Sequence, residues 1–279
     1  MGMIDSSRSA LLAFQRALAT TSHNIANVNT EGYSRQSVSL QTVGSTNPTD
    51  RAAPGGGVAI HSVIRSYDNL LEESVRQDSS AFSRTDVFGS LATDVDTLFA
   101  SGESNISTQL QTFFSALQDV SNDPTSNATR QAMLGESEMM TARLREMDGR
   151  LNEISDFSNS RLSQVVVEIS SYAQQIADIN AKIKDSGENL PNDLLDTRDH
   201  LITQLSERVS VSTTEAGDGT TNVFVGSGQA LVIGTKAETV GVMRSEYGDG
   251  LRIVLGGSGT GPDATEQMSG GVIGGILDF

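Results

Sequence analysis

Cysteine is absent from the 279 residues, which removes disulfides, thiolate metal sites and thiol nucleophiles from consideration. Tryptophan is absent as well, aromatic residues make up 5% and hydrophobic residues 37%. Long, thin helical packing suits such a chain better than a thick globular core or an aromatic-lined pocket. Basic residues are scarce: 19 Lys and Arg stand against 35 Asp and Glu, and the pI is about 4.5. That balance disfavours nucleic acid and anionic lipid as partners, because their phosphates are repelled. No apolar run approaches the ~20 residues that span a bilayer. The start, Met1-Gly2-Met3-Ile4-Asp5-Ser6, lacks a basic region followed by an apolar one. Neither membrane insertion nor a cleaved signal peptide is expected.

What the chain does contain is apolar order with a period of seven. Ile4, Ser7, Leu11, Phe14, Leu18, Thr21, Ile25 and Val28 alternate spacings of three and four. An amphipathic helix of this kind cannot bury its stripe alone and must pack on another helix, within the molecule or in a neighbour. Ile4, Leu11, Phe14, Leu18, Ile25 and Val28 are therefore the candidate subunit-packing residues. The helix is expected to end near Ala26 or Asn27, where Asn-Val-Asn-Thr-Glu-Gly favours a turn and Gly32 permits the reversal. Weak alternation follows over 33–43, then a Gly/Pro-rich connector over 47–57.

Further helices are expected over about 64–100, with Ile64, Tyr67, Leu71, Val75, Phe82, Phe88, Leu91, Val95 and Leu98 on one stripe, and over 106–120. Asp123-Pro124 suggests a cap for the next helix. That helix is the most distinctive feature, because Met133, Ser137, Met140, Leu144, Met147, Leu151, Leu162, Val165, Ile169, Tyr172, Ile176, Ile179 and Ile183 keep heptad order. Continuous over 126–184, it would be roughly 90 Å long at about 1.5 Å per residue. Gly187 stops it and Pro191 opens another, carrying Leu194, Leu195, Leu201 and Leu205. Beyond 209 the period changes to short runs separated by turns such as Gly217-Asp218-Gly219, the pattern of a small antiparallel β domain. The expected fold class is mainly α with a small β domain. Its expected divisions are an axial helix and turn over 1–50, a long-helix bundle over 51–208 and a β-rich outer part over 209–279.

No constellation supports catalysis or a cofactor. His23, His61 and His200 are scattered, and Asp196 with His200 offers a metal only two ligands. Gly55-Gly56-Gly57 has no Lys-Ser/Thr after it to cradle a phosphate.

The segment His23-Asn24-Ile25-Ala26-Asn27-Val28-Asn29-Thr30-Glu31-Gly32-Tyr33-Ser34-Arg35-Gln36 resembles the N-terminal signature of flagellar axial proteins, the rod, hook and hook-associated subunits. Its ending, Gly32 to Gln36, is most similar to hook-associated proteins of the FlgK type. Gly56-Gly57-Val58 with Arg65-Ser66-Tyr67-Asp68, Asp123-Pro124, and the run from Pro191 through Asn192-Asp193-Leu194-Leu195-Asp196-Thr197-Arg198-Asp199-His200 to Leu201 add to the resemblance.

The resemblance implies a non-enzymatic structural subunit, exported and polymerised at the junction of hook and filament. Its implied partners are copies of itself in a ring, the hook protein below, the next hook-associated protein above, and an export apparatus and chaperone. It also implies return helices from a C-terminal half, beginning near Gly274-Gly275-Ile276-Leu277 and lying beyond this sequence. Asn24, Asn27, Asn29, Gly32, Tyr33, Arg35 and Gln36 form the signature turn. The Asn side chains are suited to satisfying backbone groups and Arg35 to forked contacts with carboxylates or carbonyl oxygens. A hook or distal-rod protein is the alternative within the same class, and an acidic coiled-coil adaptor or adhesin is the alternative outside it.

Overall fold

The computed structural model describes residues 3–44, 57–100, 106–187, 190–245, 250–256 and 261–279. Helix α1 (Met3–Ala26) leads through the signature turn into strand β1 (Gln36–Thr42), which pairs antiparallel with β2 (Val58–Arg65). Most of the connector expected over 47–57 falls outside the described residues. The division expected at 50/51 also lies outside the described residues, and the strands on either side of it are paired.

Helix α2 (Asn69–Ala100) begins later than its periodicity suggests. Ile64 is a strand residue opposite Ser37, and Asp68 Oδ1 accepts the backbone N–H groups of Leu70 and Leu71 at 3.0 and 3.3 Å, which sets the helix start. In the first half of α2 the expected stripe faces solvent: Leu71, Val75 and Phe82 are exposed, while Arg76 and Ser80 are buried. Packing changes with Val87 and Leu91, which are buried.

After α3 (Ile106–Asn122) comes the 59-residue α4 (Asn127–Asp185), continuous as expected. Its N-cap is Ser126, whose side chain accepts from the Thr129 N–H, rather than Asp123. The two halves of α4 differ in cover. The first packs mainly against α3 and leaves Leu134, Leu144 and Leu151 exposed. The second is surrounded, with Leu162, Val166, Ile169, Ile176 and Ile183 all buried.

Helix α5 (Asn192–Arg208) turns back along α4, with Pro191 at its cap. The strands follow as an antiparallel meander of β3 (Val211–Glu215), β4 (Thr221–Val225), β5 (Gln229–Ile233) and β6 (Lys236–Ala237), then a separate pair, β7 (Val240–Arg244) and β8 (Leu251–Leu255). These strands are draped on α4. Asn180, fully buried, donates to the carbonyls of Thr221 and Gly234 at 2.8 and 2.7 Å and accepts from the Thr221 N–H. Ser170 Oγ makes the same kind of link to both backbone groups of Val240. One hydrophobic core runs through α2, α4, α5 and the strands, so the division expected at 208/209 crosses a shared core.

The final apolar run is a helix, α6 (Gly271–Leu277), seated on α2. A Cβ on Gly275 would stand 2.5 Å from the Arg84 carbonyl oxygen, so only glycine lets the two backbones approach this closely.

Candidate functional site

Helix α1 has two faces of opposite character. Ser6, Ser9, Ala13, Thr20 and Asn24, at spacings of three, four or seven residues, face the β1–β2 hairpin, with Ala13 and Thr20 buried. Small side chains allow this close approach. Ser9 Oγ accepts the Val58 N–H at 3.2 Å, which pins the start of β2 to the helix. The large apolar residues lie on the other face: Ile4 is 83% exposed, Leu11 64%, Phe14 69%, Leu18 72% and Ile25 70%, and Val28, in the turn just after the helix, is 72% exposed. Fully burying one such side chain is worth roughly 1.5–3 kcal/mol, so six together form a strong drive to find cover.

At the end of α1 the signature residues divide the work of holding the turn. Asn24 Nδ2 donates to the Gln36 carbonyl at 2.8 Å while its Oδ1 accepts the Gln36 N–H at 2.9 Å, so one side chain imitates a neighbouring strand. The Tyr33 hydroxyl donates to the same Oδ1 at 2.8 Å, and its ring meets His23 edge-on at 5.5 Å. Asn27 caps locally, donating to the His23 carbonyl and accepting from the Thr30 hydroxyl. Asn29 is exposed. Gly32 has φ +75°, and a Cβ there would lie 2.7 Å from the Cβ of His200, so conformation and space both require glycine.

The side chain of Arg35 is exposed, whereas that of Arg65 is nearly buried among carboxylates. Arg65 Nη1 donates to Asp196 Oδ1 at 2.9 Å and to Asp199 Oδ2 at 2.8 Å, with its guanidinium 4.5 Å over the Tyr67 ring. Burial works against the charge on Arg65, yet the two carboxylates outweigh it and hold its pKa above the ordinary arginine value. Burial, reinforced by Asp199, likewise pushes the Tyr67 hydroxyl up. Asp196 also accepts the Ser34 N–H at 3.1 Å, so it is engaged by the turn and by Arg65, while His200 packs beneath Gly32. Among the described residues no group of three His, Asp or Glu is placed to hold a metal ion.

Arg65, Asp196 and Asp199 were not identified as site residues by sequence reasoning. The signal was present, because both stretches that carry the resemblance, Arg65-Ser66-Tyr67-Asp68 and the run from Pro191 to Leu201, meet here. Nothing in either stretch alone names the other. Beside this contact, α1, β2 and the start of α5 frame an open groove of about 870 Å³, lined in part by Arg16, His23, His61, Tyr67 and Leu190.

Residues 92–279 match the model of the family described as the flagellar hook-associated protein FlgK helical domain. The chain belongs to this family. Residues 4–33 match a second, broader model, the flagella basal body rod protein. The turn signature is therefore shared with rod proteins, and the long-helix region makes the assignment to the FlgK family the narrower one. The chain is 33% identical over 240 residues to flagellar hook-associated protein 1 of Salmonella typhimurium, covering 84% of this chain and 43% of that protein. Against the protein of the same name in Bacillus subtilis it is 29% identical over 218 residues, covering 75% of this chain and 43% of that one. The structure resembles that of the flagellar hook junction protein FlgK from Burkholderia pseudomallei with a TM-score of 0.67 at 26% identity, over 74% of this chain and 38% of that chain. The sequence thus spans less than half the length of these FlgK relatives.

Proposed function

We propose that this chain is part of a structural, non-catalytic subunit of the bacterial flagellum that polymerises at the junction of hook and filament. The observation that carries the reading is the outward stripe of α1: five large apolar side chains, continued by Val28 just beyond the helix end, are exposed on a helix whose small-residue face is already occupied by the hairpin. A helix arranged in this way is built to be covered by other helices with matching heptads. The FlgK family match and the hook-associated names of the relatives support a reading in which such packing takes place at the hook-filament junction. On this reading the partners are copies of the same subunit in a ring, the hook protein on one side and the next hook-associated protein on the other. Export is aided by a flagellar chaperone, and the subunit resides outside the cell. The mechanism is geometric: axial helices lock neighbours together while the body above carries the outer surface.

Leu11→Glu or Leu18→Glu, introduced into the full-length protein in a motile bacterium, is expected to leave hooks without filaments by electron microscopy. Circular dichroism of the purified variant is expected to show an intact body. Normal incorporation of either variant into flagella would refute the reading.

A further inference from the structure

The buried hydrophobic core of the molecule begins at Val87 and includes no residue of α1, β1 or β2 among those described. These three elements form a separate arm, and the arm meets the body through polar contacts gathered on one face of α5. Asn192 Nδ2 donates to the Val63 carbonyl at 3.0 Å, and Gln36 Nε2 donates to Asp193 Oδ1 at 3.1 Å. One turn on, Asp196 takes the Ser34 N–H and Arg65. A further turn on, Asp199 takes Arg65 from the arm while its other oxygen accepts from Arg198 Nε and Nη2, both at 3.3 Å. Arg198 Nη1 then reaches the Gly219 carbonyl in the turn between β3 and β4 at 3.0 Å. A continuous line of hydrogen bonds thus runs from the signature turn, across α5, to the strands. The opposite face of α5, with Leu201, Ile202 and Leu205, is sealed in the core.

We propose that this face of α5 is a polar joint on which the α1–β1–β2 arm changes its angle to the body, with Arg65 as the catch that selects one angle. An apolar seam resists tilting, because every square ångström re-exposed has a cost. A polar contact exchanges its partner for water at a small net difference, so neighbouring angles lie close in free energy. The catch is different in kind. The side chains of Arg65, Asp196 and Asp199 are only 11%, 7% and 13% exposed, and one guanidinium nitrogen serves two carboxylates. Removing it leaves two nearly buried carboxylates with Arg198 alone, which reaches only Asp199, so Asp196 has no cationic partner among the described residues. The excess negative charge is relieved by letting the arm go and hydrating Asp196. Only the consequence rests on the assembly reading: in a ring, the joint would let the axial helices keep one packing while the bodies above tilt to follow a bend.

The absence of cysteine makes the test direct. Nitroxide labels on Ser22→Cys in α1 and Gln175→Cys in α4, both exposed positions, report the distance between arm and body by pulsed electron paramagnetic resonance. In the otherwise unchanged chain a single narrow distance distribution is expected. Arg65→Met is expected to broaden it to roughly twice its width or to add a second distance, with the helical circular dichroism retained. An unchanged distribution in folded Arg65→Met overturns the joint. If that variant loses its helical signal, Asp199→Asn decides, since Asp196 still holds Arg65: broadening supports the joint, and native width overturns it. The measurement is made on the isolated chain, so its failure is distinct from a failure of Leu18→Glu to block assembly.

Discussion

Helix α1 and the second half of α4 carry the same seven-residue apolar order and end in opposite surroundings. Leu18 of α1 is 72% exposed and Phe14 69%, whereas Ile169, Ile176 and Ile183 of α4 are 0% exposed. In α4 the large side chains face inward because α2, α5, α6 and the strands all converge on them. In α1 the intramolecular partner is a two-stranded hairpin, and a thin ribbon is best approached by the Ser/Ala/Thr face. A periodic stripe therefore identifies a surface that needs cover without saying what supplies it.

The contrast is sharpest for truncation in the covered seam. Ile176→Ala is expected to lower the stability of the chain by about 2–5 kcal/mol, read from the urea midpoint, because the lost contacts come with a cavity that dense surroundings cannot close. If the cost stayed below about 0.5 kcal/mol, typical of surface sites, that half of α4 would not be the centre of the core.

A middle effect is expected at the arm. Asn24→Ala removes three hydrogen bonds that tie the turn to the start of β1, and it is expected to weaken the arm by roughly 1–3 kcal/mol. Faster hydrogen exchange at the Gln36 amide, with unchanged exchange in α4, is the corresponding observation. Loss of protection in both regions together would show that arm and body unfold as one unit.

The smallest effect is expected on the uncovered seam. Leu18→Glu changes the stability of the isolated chain by no more than about 0.5 kcal/mol, because the side chain leaves no contact behind. A large loss in the same urea experiment would mean that the stripe is covered within the molecule, and the contrast between the two helices would disappear.

Much of the fold was legible in the residues. Heptads marked α4 nearly to its ends, and the change to short alternating runs beyond 209 located the strands. The misreadings share one cause. The stripe drawn from Ile64 through Phe82 joined a strand to a helix, and its Leu71 and Phe82 are exposed where Arg76 and Ser80 are buried. Periodicity cannot see that the Asp68 side chain ends one element and starts another. Within the signature turn, Asn24, Gly32, Tyr33 and Gln36 are tied to one another or to neighbouring elements. The ion pairs of Arg65 were not legible, because only the hairpin carries Arg65 to α5.

By itself the sequence determined which segments are helices, which face of each is apolar, and that the turn after α1 is the axial signature. These properties depend on neighbours within a few turns along the chain. Only the tertiary structure decided which seams are sealed and which are left open, and that Arg65 meets Asp196 and Asp199 across more than 130 residues. Those outcomes depend on which surfaces reach one another in space, and local spacing carries no record of that.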